Sequence, residues 1–520
     1  MLVALVLLIA CTNVGNLLTA QAASRAHEMA LRISIGAGKW RLIQLVLVES
    51  SLLATIASVL GTFFASRSIP WVVSMLHVPE DPVRLVLDSG WRGSLFTMAL
   101  ASSVALLFGL GPALRASAVR PIAALKGTED GKPSYRQWLN GVLAAQMAFC
   151  VLVLFLAGLF VSTFQHLTHR PLGFTAAHVL DMDCAASKKE PIQVWMQAAD
   201  RLRSTPGVQS VALAGWPLLS RNRWTTDVRV PGRNVEAHSA YVLDVSPGFF
   251  ARMHIAMIGG RDFWLGDRFS GTVRPLRRVG IVNEAFARAY IDGRNPIGRS
   301  IDIPSKDLPS PVESVGYVHD AVYYDVRETI HPTIYVPMEE RDFNTFLIRT
   351  VGDPLGLAPT LRRIVPKVRS DFKVHTVQSQ SAFLRWQMLR ERLLAALSFF
   401  FAVIALALAA IGLFGLLNYS VTRQRREIGI CVALGARPSH VVHRVTSGLL
   451  SMVSLGLFVG LVIGVVCGRV VQSLLFEVRI TDPGTMVGPL TILLGVALLA
   501  ALPATFRAIR IDPAQTLRND

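Results

Sequence analysis

The chain is poor in charge. Only 17% of its 520 residues are Asp, Glu, Lys or Arg, while 52% are hydrophobic, and its mean hydropathy is +0.45. That balance lies far from the average of soluble globular domains. Stretches without any of the four charged residue types run from Met1 to Ser24, Gly93 to Leu114, Gln137 to Phe164, Leu393 to Thr422, Val445 to Gly468 and Gly484 to Phe506, and Leu42 to Ser66 is interrupted only by Glu49. Each is long enough to cross a bilayer, which takes about 20 apolar residues. The expected fold class is therefore an α-helical membrane protein with about seven transmembrane helices plus one α+β extracytoplasmic domain. The first run lacks the basic start of a signal peptide, since Arg25 and Arg32 follow it, and it is read as a helix that stays.

Cysteine is scarce as well. Of five, Cys11, Cys150, Cys431 and Cys467 fall in or beside spans, which leaves Cys184 alone in the long hydrophilic segment and excludes a disulfide framework there. Catalytic motifs are missing too. No G-x-x-x-x-G-K-[ST] loop occurs, so the chain cannot hold ATP in the P-loop manner, and Gly38-Lys39-Trp40 has no Ser or Thr after its lysine. Neither H-E-x-x-H nor G-x-S-x-G is present, and His27-Glu28 is followed by Leu31 where a second histidine would be needed. His319-Asp320 and His331 show no metal-ligand spacing, and a catalytic reading would need His254, His319 and His331 to cluster in space. No catalytic, cofactor or metal site is assigned, and an enzyme is not expected. Glu49 sits near a span end beside Ser50 and Ser51, which suits a structural role better than an ion path.

Acidic residues are outnumbered by basic ones, 35 to 52, for a net charge of +17. Many of the basic residues flank spans, as the positive-inside rule requires, so nucleic acid is not the expected partner. Arg25, Arg32, Lys39 and Arg41 lie between the first two spans; Arg115, Arg120, Lys126, Lys132 and Arg136 between the third and fourth; Arg423, Arg425, Arg426 and Arg437 between the fifth and sixth; and Arg507, Arg510 and Arg518 after the last. All four segments can be cytoplasmic at once. The roughly 230 residues from Gln165 to Arg392 then lie outside, enough for one or two domains. Within them, helical patterns at Pro191 to Ser204 and Asn283 to Ala289 alternate with β-rich runs at Val208 to Leu213, Ala240 to Val245, Val279 to Val282, Thr333 to Val336 and Phe346 to Thr350. Leu355 to Val368 has a helical pattern that Pro359 and Pro366 weaken.

What is present twice is more telling. Glu28-Met29-Ala30-Leu31-Arg32 leads to Ile35-Gly36-Ala37, and Glu427-Ile428-Gly429-Ile430-Cys431 leads to Leu434-Gly435-Ala436, with the same spacing from Glu to Gly. Each copy follows an uncharged run and precedes two further spans and a tail, Pro112-Ala113-Leu114-Arg115 in the first and Pro503-Ala504 with Arg507 in the second. A duplicated three-span unit is the simplest account. A basic amphipathic segment of this kind, with Ile428, Val432 and Leu434 apolar and Arg425, Arg426 and Glu427 setting orientation, suits docking to a soluble cytoplasmic partner. The arginines taken alone are ordinary positive-inside flanks.

These two segments, together with Val245-Ser246-Pro247-Gly248-Phe249-Phe250, Gly260-Arg261-Asp262-Phe263, Ile281-Val282-Asn283-Glu284-Ala285-Phe286-Ala287 and Asn295-Pro296-Ile297-Gly298, resemble MacB/FtsX-type ABC transporter permeases over nearly the whole chain. The duplication resembles the duplicated orphan permease (ADOP-like) subgroup. The resemblance implies a first FtsX-like three-span unit at residues 1–127, without its preceding span and outer domain; a transmembrane helix at 137–164; a MacB-like extracytoplasmic domain at 165–392; and a second three-span unit at 393–520. It implies a permease subunit that transmits ATP-driven motion from a separate cytoplasmic ABC ATPase subunit to the outer domain, for export or envelope remodelling. The ATPase-coupling residues would be Glu28, Gly36, Ala37, Arg425, Arg426, Glu427, Gly435 and Ala436. Membrane lipid, a dimer or pseudo-dimer arrangement, a periplasmic adaptor or envelope partner, and the bacterial inner membrane belong to the same expectation. Cys431 stands where the first copy has Arg32, so the two copies are not equivalent. The competing reading is a membrane-anchored scaffold or sensor that binds an envelope partner without ATP-driven cycling.

Overall fold

A computed structural model describes residues 2–24, 39–76, 133–231, 238–267, 278–303, 311–423 and 438–509, with isolated positions between 93 and 103. Two compact units emerge, one dominated by residues 167–390 and the other by the long apolar helices on either side of that segment.

The helical unit contains α1 (Leu2–Ser24), α2 (Lys39–Leu76), α3 (Pro133–Thr168), α9 (Leu389–Arg423), α10 (Pro438–Val470) and α11 (Pro483–Ile509), the numbers α4 to α8 being kept for the domain. Five stretches among the described residues are long and apolar enough to span a membrane: Ser51–Ser68, Gly141–Thr168, Leu389–Asn418, Leu450–Val470 and Pro483–Arg507. In α1 the apolar helical stretch is shorter, Val3–Val14. The expected span from Gly93 to Leu114 lies almost wholly outside the described residues, so seven spans are not all seen.

Small residues decide how these helices approach. Gly456, Gly460, Gly464 and Gly468 recur every fourth position along one face of α10, and all four are buried. A Cβ at Gly456 would stand 2.6 Å from Met147 Cβ and 2.7 Å from the Ala144 carbonyl of α3, and one at Gly460 2.6 Å from the Ala148 carbonyl. A Cβ at Gly464 would stand 3.1 Å from the Phe155 ring. Lipid chains are as apolar as leucine, so helices in a bilayer associate through such close backbone packing rather than through apolar burial.

The second unit is a mixed α/β domain. Its strands are β1 (Val179–Glu190), β2 (Val208–Ala214), β3 (Trp224–Val228), β4 (His238–Val245), β5 (Met257–Gly260), β6 (Val279–Asn283), β7 (Ser300–Ile301), β8 (Val312–Val318), β9 (Thr333–Pro337), β10 (Arg341–Thr350) and β11 (Lys373–Ser379). They form one sheet in the order β11-β1-β10-β2-β4-β9-β6-β8-β5, with β3 on β4 and β7 on β8. Most neighbours run antiparallel; β4 with β9 and β6 with β8 run parallel. The helices are α4 (Ile192–Arg203), α5 (Phe249–Met253), α6 (Glu284–Ile291), α7 (Pro354–Val368) and α8 (Gln380–Gln387).

Alternation along β1 builds the core on one face: Leu180, Met182 and Cys184 join Phe346 and Ile348 of β10 against Trp195 and Leu202 of α4 and Leu361 and Val365 of α7. Trp195 is fully buried and stacks on Phe372 with ring centroids 4.4 Å apart. A separate layer places Phe286, Tyr290 and Ile291 of α6 on Val242, Val282 and Ile334. α7 is a full helix despite Pro359 and Pro366. Asp353 caps its start by accepting from Leu355 N–H at 3.2 Å. Burial of Leu361 and Val365 outweighs the hydrogen bonds its prolines cannot donate.

Candidate functional site

The residues expected to couple to an ATPase occupy the connections between membrane helices. Glu28, Gly36 and Ala37 lie in the chain between the ends of α1 and α2, and Arg425, Arg426, Glu427, Gly435 and Ala436 between those of α9 and α10. All eight lie outside the described residues.

Inside the bundle the structure brings together polar groups that sequence reading passed over. Asn13 of α1 and Gln146 of α3 are 3% and 1% exposed. Gln146 Nε2 donates to Asn13 Oδ1 at 2.7 Å, and Asn13 Nδ2 donates to the Leu408 carbonyl of α9 at 2.7 Å. Gln146 Oε1 has no hydrogen-bond partner among the described residues. A polar cluster within apolar surroundings ties three helices at one level. The signal was present as Asn and Gln residues in uncharged runs, but nothing in the sequence singles out or pairs these two. Nearer the end of α11, Arg507 donates to Asn418 Oδ1 of α9 at 2.8 Å.

In the α/β domain, the four phrases that carry the family resemblance turn out to fix backbone geometry. Gly248 has a φ of +79°, and its N–H donates to Asp262 Oδ2 at 3.0 Å. Asp262 Oδ1 accepts from Phe263 N–H at 2.7 Å. Gly260 has a φ of +80°, and a Cβ there would lie 2.3 Å from the Val315 carbonyl, so only glycine fits. Arg261 forks onto Asp267 at 2.6 and 3.0 Å and lies over the Trp264 ring at 4.3 Å. Burial pushes the Asp267 carboxyl up, but the Arg261 fork and the Trp264 N–H outweigh it and leave it below its ordinary value. Burial raises Asp262 in spite of its two backbone donors.

Asn283 caps α6 by accepting from Phe286 N–H at 3.0 Å, accepts from Thr333 N–H at 2.9 Å, and donates to the His331 carbonyl at 3.0 Å. It thereby joins β6, α6 and the start of β9. Asn295 Oδ1 accepts from Ile297 N–H at 3.0 Å, ahead of Gly298 with its φ of +77°.

The histidines engage separate partners. His254 Nδ1 lies 3.2 Å from Thr175 Oγ1, His319 Nδ1 3.2 Å from Glu284 Oε2, and His331 Nε2 2.8 Å from Glu328 Oε1. Among the described residues no group of His, Cys, Asp and Glu is arranged to hold a metal. A shallow cavity of about 530 Å³ beside α5 and β5 is lined by Phe250, His254, Ile255, Met257, Arg261 and Asp262, with no pair of side chains placed as nucleophile and base.

Comparison with known proteins gives the following. A family described as FtsX-like permease C-terminal matches residues 1–121 and again 399–513. A macrolide export ATP-binding/permease protein MacB of Nitrobacter winogradskyi is 30% identical over 334 residues, 61% of this chain and 48% of that protein. One from Chromobacterium violaceum is 30% identical over 307 residues, covering 56% of this chain and 45% of that protein. The uncharacterized ABC transporter permease YknZ of Bacillus subtilis is 23% identical over 302 residues, 55% of this chain and 71% of that protein. This chain spans about half the length of the MacB proteins just named. The crystal structure of the periplasmic region of MacB from Actinobacillus actinomycetemcomitans aligns with 42% of this chain and 95% of its own, at 14% identity and a TM-score of 0.28.

Proposed function

Because the chain belongs to the MacB/FtsX-type ABC transporter permeases, we propose that it serves as the permease subunit of an ABC system, coupling a separate cytoplasmic ATPase to its α/β domain on the far side of the membrane. It is a multi-pass membrane protein, and the inner membrane of a bacterium is its proposed place. The observation that carries the reading is the double family match, one copy before and one after the α/β domain. Two permease segments in one chain also support the duplicated orphan permease subgroup.

In this reading the connections containing Glu28, Gly36 and Ala37, and Arg425, Arg426, Glu427, Gly435 and Ala436, dock the ATPase. Motion there passes along the apolar helices to the domain, and the work is export or envelope remodelling. An adaptor or other envelope partner would meet the α/β domain. The glycine contacts of α10 with α3 support transmission, since closely packed helices move as a body rather than deforming one by one.

The test is co-purification from the native membrane. Recovery of a nucleotide-binding subunit, lost on Glu28→Lys together with Glu427→Lys while the permease stays in the membrane at its normal level, supports coupling through these segments. If no nucleotide-binding subunit accompanies the wild type under any condition, the scaffold reading replaces it.

A further inference from the structure

The buried polar cluster acquires a second meaning once the repeat is laid over it. A constant offset of 399 positions takes Glu28 to Glu427 and Gly36 to Gly435; the same offset takes Asn13 to Gly412 and Ile9 to Leu408. α1 and α9 are therefore equivalent helices of the two copies, and they meet at equivalent positions. A Cβ at Gly412 would lie 2.4 Å from Asn13 Oδ1 and 2.8 Å from Gln146 Nε2. Asn13 Nδ2 donates to the carbonyl of Leu408, the counterpart of Ile9. Ile9 packs in the same buried cluster as Ala405, Ala409 and Leu413 of α9. Self-matched contact, in which a position touches its own counterpart, is the signature of a two-fold interface. Here it is formed within a single chain.

The two residues at the crossing are unlike in a complementary way. Gly412 leaves the space that the Asn13 amide fills, and Gln146 and the Leu408 carbonyl satisfy that amide where lipid could not. Pairing α1 with α1 of a second copy would set Asn13 against Asn13 with no glycine to admit either. Pairing α9 with α9 would leave a void at Gly412 and take from Gln146 its short bond to Asn13 Oδ1, with only the 3.5 Å contact to the Leu408 carbonyl in its place. A polar residue that fits one pairing and penalises the alternatives is a specificity device, as single buried asparagines are in coiled coils.

We propose that Asn13, Gly412 and Gln146 form a pairing key that closes the α1–α9 contact inside one chain, so that this surface is not available to a second copy. The inference rests on the repeat and on the geometry of the cluster. It does not depend on ATPase coupling, and co-purification of a nucleotide-binding subunit can fail without touching it.

The test uses the full chain in membranes. With Cys11, Cys150, Cys184, Cys431 and Cys467 replaced, Asn13→Cys plus Gly412→Cys is oxidised, and the chain is then cut at a protease site inserted at the exposed turn around Val351. Fragments that stay joined at the mass of one chain until reductant is added are expected. A band at twice that mass, or fragments that separate without reductant, overturns the proposal. A second measurement does not depend on the cysteine pair. Gly412→Ala is expected to lower the melting temperature by about 3 °C or more in the wild type, and by clearly less in an Asn13→Ala background, where the amide it would meet is gone; an equal loss in the two backgrounds overturns the proposal as well.

Discussion

Asn283 offers the sharpest quantitative test of how the domain is held together. Replacing it with alanine removes the acceptor for Phe286 N–H and Thr333 N–H and the donor to the His331 carbonyl. Phe286 and Thr333 are 0% and 1% exposed, so water does not replace the lost acceptor. An unsatisfied buried polar group costs roughly 1–3 kcal/mol. Two orphaned N–H groups, with the His331 carbonyl contributing less because it still accepts from Thr333 Oγ1, give a loss of about 4 kcal/mol, twice what a helix cap alone is worth. Asn283→Asp keeps both accepting roles and adds a favourable negative charge at the start of α6, but sets a carboxylate oxygen against the His331 carbonyl; a loss of about 1–2 kcal/mol is expected, from the forfeited bond. Hydrogen exchange on the full chain in nanodiscs reads this directly: peptides spanning 279–291 and 331–337 should lose protection by about a thousandfold for alanine and about tenfold for aspartate. A change of less than tenfold for Asn283→Ala would refute the view that this side chain joins the two strands and the helix. Equal losses for alanine and aspartate would refute the division of its role between accepting and donating.

Two further outcomes follow from packing and burial. Gly460→Leu in α10 should separate α10 from α3, because its Cβ meets the Ala148 backbone at 2.6 and 2.9 Å; a loss of about 3 kcal/mol or more in the thermal stability of the bundle is expected, against no loss for Gly495→Ala, where nothing stands within 4 Å. Asp181 in β1 is 1% exposed with no hydrogen-bond partner for either carboxyl oxygen among the described residues, and burial, reinforced by the charge of Asp183, holds its pKa well above the ordinary value. A raised carboxyl pKa means that the folded domain binds the proton more tightly than the unfolded chain does, so the contribution is complete below about pH 4 and lost as the pH rises through the folded pKa, by up to about 1.4 kcal/mol per unit. Urea midpoints for the domain, followed by tryptophan fluorescence on the rising-pH side, should therefore fall less steeply in Asp181→Asn than in the wild type; identical slopes would remove Asp181 from the account.

Much of the architecture could be read before any coordinates. Hydropathy placed the apolar helices because a bilayer-spanning segment must satisfy its backbone internally and present apolar side chains over its whole length. Five of the expected spans appear as long apolar helices. In the domain, the expected runs at Val208 to Leu213, Thr333 to Val336 and Phe346 to Thr350 fall within β2, β9 and β10, and Pro191 to Ser204 contains α4. The expected runs at Ala240 to Val245 and Val279 to Val282 likewise fall within β4 and β6, whereas β1 and β8 were not anticipated. β8 shows clean alternation, with Val312, Ser314 and Val318 buried and Glu313 and Tyr317 partly exposed, a period-two signal that was available. β1 hides its own alternation behind Asp181 and Asp183, which sit in a strand only because β10 and β11 flank it on both sides. The eight expected coupling residues stayed a matter of pattern alone, since they fall outside the described residues.

The sequence by itself determined what each segment could be: membrane helix, repeated unit, α/β domain, and membership in a permease family. Those properties depend on composition, period and motif, which are local along the chain. Tertiary structure alone decided which residues meet. It set Gly456 and Gly460 against the backbone of α3, Asn283 between two strands and a helix, and Asn13 against its own counterpart Gly412 with Gln146 alongside. The reason is physical: the cost of a buried polar group or the worth of a missing side chain is fixed by the atoms that surround it in space. For Asn13 those atoms belong to residues hundreds of positions away.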